Sequence, residues 1–439
     1  MPATGRVHIV GAGLAGLSAA VRLTEAGRQV CLYEAGTQAG GRCRSYNDEV
    51  LGCRIDNGNH LLLSGNNRTL AYLATIGAAD TLVGPAEPGF PFIDLSSGER
   101  WTVRPNRGPV PFWLLDPSRR VLGSKLGDYA NALKLAFAKP EDTVAALFAR
   151  NPNLFRRFWE PLTVAVLNTE AENAAAQLLW PVLKETFGRG ADYCRPLIAA
   201  GGLSESFVHP ALHWLAARGA EIRFGARIRA IGYSGDRAVS LDTGGETIAL
   251  SGEDQVIVAV PPPVASSLVP GITVPTEFRG IVNAHFRLGE SVEGVSILGV
   301  IGGASEWIFR HGNLASVTIS AATKYLDTDS ETLAPLIWRE VATALGLPPE
   351  PVPPWRIVKE KRASFAQTPD QVKLRPKSAT TWRNLVLAGD WIDNGLPVTI
   401  EGTIRNGETA ARLVQSKTPR RAPLPRAGEG GAPPEGWGG

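Results

Sequence analysis

Cysteine is scarce in this 439-residue chain, and Cys31, Cys43, Cys53 and Cys194 show no C-x-x-C spacing. The thiols are therefore read as buried or free in a reducing compartment, and no metal is expected. Excess charge of one sign is missing too: 45 basic residues face 42 acidic ones, and no basic block with interleaved aromatics occurs, so no nucleic-acid partner is expected. No apolar run is long enough to span a bilayer, and no charged segment followed by an apolar one opens the chain. The expected location is cytoplasmic, with peripheral attachment to the inner face of the cell membrane left open. What the chain has is apolar content, 44%, enough for the core of two interleaved domains.

The rest of the chain is organised around one stretch. Val7 to Val10 is an apolar run suited to a buried strand, and Gly11, Gly13 and Gly16 give G-x-G-x-x-G at the opening of a helix. The first glycine permits a tight turn, the second lets backbone approach a pyrophosphate, and the third lets helix pack on strand. The helix N-terminus then offers free N–H groups to phosphate. Val30 to Tyr33 forms the next strand, and Glu34 stands where a ribose-binding acid is expected. An acid there repels a 2′-phosphate, which leaves FAD or NAD. Six residues further on, Gly40, Gly41 and Arg42 offer a second approach to pyrophosphate or flavin.

Glu34 to Arg42 resembles the E-x5-G-G-R signature of the FAD-dependent amine oxidase and phytoene desaturase superfamily. The resemblance extends to Asp56-Asn57-Gly58-Asn59-His60, which in that superfamily lies against the cofactor. It also implies that a strand at Ile228 meets the adenine through its backbone, and that Gln255 to Pro262 ends a strand of the nucleotide domain. Near the C-terminus, Asn384 to Trp391 is an apolar strand ending in Gly-Asp. Gly389 allows close approach and Asp390 accepts hydrogen bonds from a ribityl chain. The helix beginning near Thr399 and Ile400 offers its N-terminus to a negatively charged reduced flavin. Two glycine-acid motifs at opposite ends of the chain select FAD over NAD.

The expected fold is therefore α/β: a Rossmann-like FAD-binding domain (1–64, 201–262, 384–416) interleaved with an α+β substrate domain (65–200, 263–383), with a disordered tail over 417–439. Within the substrate domain, Leu122, Leu126, Tyr129, Leu133 and Phe137 recur at helical spacing from Val121 to Ala138, with Lys125, Lys134, Lys139 and Arg119-Arg120 nearby. Two readings compete there: an amphipathic helix on its own core, or a basic interfacial helix dipping into anionic lipid. Helices are also expected over Leu154 to Leu167 and Glu170 to Phe187, with breaks at Pro161 and Pro181. Trp307 to Arg310 and Leu314 to Ser320 read as two strands joined by a hairpin turn at His311-Gly312-Asn313. No second G-x-G-x-x-G occurs, so the electron donor is not encoded recognisably.

Leu167-Asn168-Thr169 and the run Leu387 to Gly402 narrow the resemblance to the hydroxysqualene dehydroxylases, the squalene-associated FAD-dependent desaturases of hopanoid synthesis. It covers residues 5 to about 415, departing at Asn59, Asn394 and Val398, where glutamine, threonine and alanine are usual. The resemblance implies an apolar isoprenoid substrate and reductive loss of its allylic hydroxyl, with reduced FAD as hydride donor. Asp393 or His60 would protonate the leaving group, although Asp393 equally suits a turn before Gly395. A carotenoid-type desaturase, a flavin amine oxidase and a non-enzymatic carrier are the alternatives.

Overall fold

A computed structural model describes residues 5–85 and 89–417; the tail expected beyond them lies, from 418 on, outside the described residues. Five short strands form a parallel sheet in the order Glu221–Arg223, Val30–Tyr33, Val7–Val10, Gln255–Val258, Leu385–Leu387. Val7 pairs with Val30 on one side and Gln255 on the other, and Val256 with Leu385. Four of these strands are buried along their length, as parallel strands covered on both faces must be, while the edge strand Glu221–Arg223 is half-buried. All five come from the three segments expected to bind the dinucleotide.

On one face the Leu14–Glu25 helix packs against the C-terminal Ile400–Lys417 helix. Contact is close because Gly407 has no side chain: a Cβ there would lie 2.4 Å from the Ala15 carbonyl oxygen and 2.8 Å from Ser18 Cβ. The first and last described helices are thus held on the same layer, which brings the Gly11–Gly16 loop and the 389–400 segment to one side of the sheet.

The second sheet runs Trp307–Ile319, Phe278–Ile301, Phe90–Asp94, Arg100–Val103, and Trp355–Phe365 pairs with the first half of the long strand. Here the sequence expectation needs correction. Trp307–Ile319 is one strand, not two joined by a turn at Gly312. Gly312 has a positive φ of 52° but sits opposite Val292 at a register shift, so it bends the ladder rather than reversing it. The bend folds the hairpin tip back onto its base, and the Glu306 N–H donates to the Thr318 carbonyl, 3.2 Å.

Helical expectations fare unevenly. Leu154 to Leu167 is helical, with a π turn at Phe155–Trp159 just before Pro161. Glu170 to Phe187 breaks into a 3-10 turn and the short Leu179–Glu185 helix. The strand expected at Arg227 to Ile231 begins only at Ala230. Leu126–Phe137 is wound as 3-10 turns rather than an α-helix. Only Tyr129 and Leu135 of that run are buried, so little tertiary packing is present to select the α period. The α-helix expected in both readings is therefore absent, while Val121, Tyr129 and Leu135 do join the buried core of the substrate domain.

Candidate active site

The first clamp is built from backbone. Gly11 takes φ of 102°, and a Cβ there would meet the Ala259 carbonyl oxygen at 2.4 Å. A Cβ on Gly16 would lie 2.0 Å from the Gly11 oxygen. Gly13 is different: nothing lies within 4 Å of its missing Cβ, and as N-cap it leaves the Leu14–Glu25 helix without a side-chain cap. Free N–H groups and an open glycine face are what a pyrophosphate needs.

Glu34 is oriented by the same loop. Its Oε2 accepts from the Ala12 N–H at 2.9 Å and its Oε1 from Gly36 at 2.8 Å. The chain around it is stitched to Arg223–Ala226, since Ala226 N–H donates to the Glu34 carbonyl and Gly225 N–H to that of Gly36, both 2.9 Å. Ile228, two residues on, is buried in the same apolar cluster as Val10 and Tyr33.

The second glycine motif lies on the first. Gly13 and Gly40 form a parallel bridge, Gly40 N–H donates to the Ala12 carbonyl at 2.8 Å, and a Cβ on Gly41 would stand 3.7 Å from the Gly13 Cα. Arg42 then reaches across the chain. Its Nη2 meets Asp390 Oδ2 at 2.5 Å, and its Nη1 donates to the Ala363 carbonyl. Asp390 in turn raises the Arg42 pKa. The Asp390 carboxylate is 9% exposed and the Arg42 side chain 42%. The Arg42 guanidinium thus keeps an accessible side while its Nη2 is held on the buried carboxylate. His60 is exposed in the structure. Desolvation by the protein around it, then the neighbouring Arg42 cation, push its imidazole down to about 4.

A set of amides and one buried guanidinium hold the C-terminal segment, and single-sequence reasoning missed most of them. Asn406 Nδ2 donates to the Gly389 carbonyl at 2.7 Å and to Ile392 at 3.1 Å. Arg375 donates to the carbonyls of Leu396 and Ile392, 2.9 and 2.7 Å. Gln367 Oε1 accepts from Val398 N–H at 2.9 Å, while its Nε2 donates to Leu167 and its N–H to Thr169 Oγ1. The Leu167-Asn168-Thr169 run thereby props the loop that leads into the last helix. Thr399 caps that helix through Gly402 N–H, 3.1 Å, and Ile400, its first residue, is buried. No local pattern announces such partners; they lie far apart in sequence.

Over the Asp56 to His60 turn sits the long strand. Asn283 Nδ2 donates to the Asn57 carbonyl, and its Oδ1 accepts from Thr318 Oγ1 at 3.0 Å. Asn59 Nδ2 donates to the same hydroxyl at 3.0 Å, so asparagine at this position is well used.

Asp393 does not suit a proton donor. Its Oδ1 accepts from Gly395 N–H at 3.1 Å, and Lys377 pairs with Oδ2. Burial acts to raise its pKa, but Lys377, the Gly395 N–H and Arg375 hold it below the usual range. It is a carboxylate closing a turn. Glu306 behaves oppositely: burial pushes its carboxyl up to about 8, against hydrogen bonds from Ser320 and the charge of Lys324. Its Oε2 accepts from Ser320 N–H at 2.7 Å. Ala321 N–H donates to Asn168 Oδ1 at 2.7 Å, and Asn168 Nδ2 to Ser364 Oγ at 2.9 Å, so Glu306 is tied to the residue after Ala363. A glutamate after a glycine-rich turn carries no sequence signal for this. Among the described residues, no group of His, Cys, Asp and Glu is placed to hold a metal.

The open Gly13 face, the uncapped helix, the ribose acid and the Arg42–Asp390 pair fit FAD. Comparison with known proteins agrees. The sequence profile described as "Flavin containing amine oxidoreductase" matches residues 14–415. A putrescine oxidase with bound putrescine superposes with a TM-score of 0.69, covering 94% of this chain and 99% of that one at 16% identity. The chain belongs to the flavin-containing amine oxidoreductase family, and it is an FAD-dependent oxidoreductase. Within that family it is similar to the hydroxysqualene dehydroxylase of Rhodopseudomonas palustris, 46% identical over 93% of this chain and 98% of that protein. It is also similar to that of Sinorhizobium fredii, 45% identical over 94% and 99%. A probable zeta-carotene desaturase of Synechococcus elongatus is 24% identical over 93% and 98%.

Proposed function

We infer that this protein removes the hydroxyl of hydroxysqualene reductively, giving squalene and water. The observation that carries the reading is identity of 45–46% over nearly the whole chain with relatives of that name. Bound FAD, once reduced, supplies the hydride and so sets the direction; the electrons come from a separate donor. The chain's own groups do the rest. Glu34, the Gly11–Gly16 loop and Gly41 hold the nucleotide end, while Arg42, Asp390 and the helix starting at Ile400 orient the other. His60, its imidazole lowered to about 4, is not the proton source near pH 7. Glu306, whose carboxyl burial raises to about 8, is the proton source we assign to the departing hydroxyl, in place of Asp393 or His60.

The test is anaerobic. FAD-loaded protein is reduced with dithionite, hydroxysqualene is added, and the flavin absorbance is followed while squalene is assayed. Reoxidation with one squalene per flavin is expected. Failure to reoxidise, with bleaching of the oxidised protein by phytoene-like polyenes, would replace this reading by a desaturase.

A further inference from the structure

Large apolar side chains are exposed in one place above all. Seven of the thirteen such side chains found among the described residues fall between 110 and 137. Phe112 is 63% exposed, Leu133 62% and Phe137 84%, with Leu115, Leu122 and Leu126 alongside. Soluble surfaces scatter such residues singly, whereas a cluster marks an interaction face.

The segment is not loose. Trp113 packs edge-on against Tyr129 at 5.9 Å, and Tyr129 against Phe158 at 6.5 Å. The Tyr129 hydroxyl accepts from Val121 N–H at 3.0 Å, and Leu135 is 2% exposed. These inward anchors fix the face from which Leu126, Leu133 and Phe137 project. An open cavity of about 410 Å³ lies there, lined by Leu133, Phe137 and Leu147 with Lys134 and Asp142.

Charge selects the occupant. Residues 104–139 carry seven basic side chains against two acidic ones, in a protein whose totals nearly cancel. Both acids are engaged locally, Asp116 by Ser118 and Asp128 by the Lys125 N–H. Lys125, Lys134 and Lys139 are exposed among the apolar residues. Apolar side chains ringed by lysines match the acyl boundary and headgroups of an anionic leaflet. Among the described residues no helix is long and apolar enough to cross a membrane, so contact would be with one leaflet. We propose that the 110–139 face docks on an anionic lipid surface, inserting Phe112, Leu133 and Phe137 while the three lysines meet headgroups.

The test uses the full FAD-loaded chain in co-sedimentation with vesicles of phosphatidylcholine, with and without phosphatidylglycerol. Binding to the anionic vesicles, weakening with salt, is expected. The double variant Leu133→Ser/Phe137→Ser should bind at least about tenfold more weakly. Each of Lys125→Glu, Lys134→Glu and Lys139→Glu should lose roughly fivefold or more. All these side chains are exposed, so flavin content and melting temperature should stay unchanged. Absence of binding to anionic vesicles, or binding indifferent to the variants, overturns the proposal. So does a wild-type dimer in sedimentation velocity that the serine variant dissolves, because the face would then belong to a second copy.

Discussion

Replacing Arg42 by methionine isolates the contact that joins the two flavin motifs. The methionine fills most of the volume but leaves the Asp390 carboxylate, 9% exposed, without its cation. Breaking a buried ion pair costs about 3–5 kcal/mol, and breaking a surface pair about 0–1 kcal/mol. Arg42 is 42% exposed, so the cofactor-free protein should lose about 2 kcal/mol, between those limits. A flavin seated in the cavity removes that solvent, and the cost in the loaded protein rises toward about 3–4 kcal/mol. The difference of about 1–2 kcal/mol appears as weaker FAD binding, a factor of about 5 to 30 in Kd. Titrating apoprotein with FAD by fluorescence quenching measures it, with melting curves of both forms alongside. Adding Asp390→Asn should restore part of the loss, since the stranded charge is gone, and the double-mutant cycle should be non-additive. An unchanged FAD Kd in Arg42→Met, or strict additivity, would refute the argument.

Three further outcomes are expected. Glu306→Gln should lower turnover at every pH while FAD stays bound, and wild-type turnover should fall as pH rises through about 8, where the raised carboxyl ionises. Because the folded-state value lies above the ordinary carboxylate range, the same group costs the wild type stability as pH climbs toward 8. Glu306→Gln should be spared that loss, and an identical stability profile would argue against a protonated Glu306. Glu401 caps the Asn67–Thr75 helix from another element, accepting from Arg68 and Thr69 N–H at 3.1 and 2.8 Å and from Arg405 Nε at 2.8 Å. That helix has no side-chain cap of its own, so Glu401→Ala should cost about 3 kcal/mol or more in urea unfolding; a loss below about 1 kcal/mol would contradict it. Gly407→Ala should force the first and last helices apart against the Ala15 carbonyl. It should lower stability by about 1–3 kcal/mol and weaken FAD binding with it, whereas lost stability at unchanged affinity would separate the two.

Much of the dinucleotide clamp was legible in the sequence because its physics is local. A glycine at 11, another at 16 and an acid at 34 follow from turn sterics, helix-on-strand packing and ribose hydrogen bonding, all within one strand-helix-strand unit. The strand leading to Gly389 and Asp390 was legible too, as an apolar run ending in a glycine. Tertiary structure alone decided how these motifs meet: Arg42 on Asp390, 348 residues apart, and Gln367 bridging Leu167 to Val398. It also decided that Gly312 bends one strand instead of ending it, that Asp393 is spent on Lys377, and that Glu306 keeps a proton. The helical spacing from Leu122 to Phe137 was read correctly as apolar, yet its facing depended on what the rest of the chain left uncovered. Sequence determines what a residue can bond or bury; only the folded chain determines whether a partner is there, because burial and long-range hydrogen bonds belong to the assembly rather than to the segment.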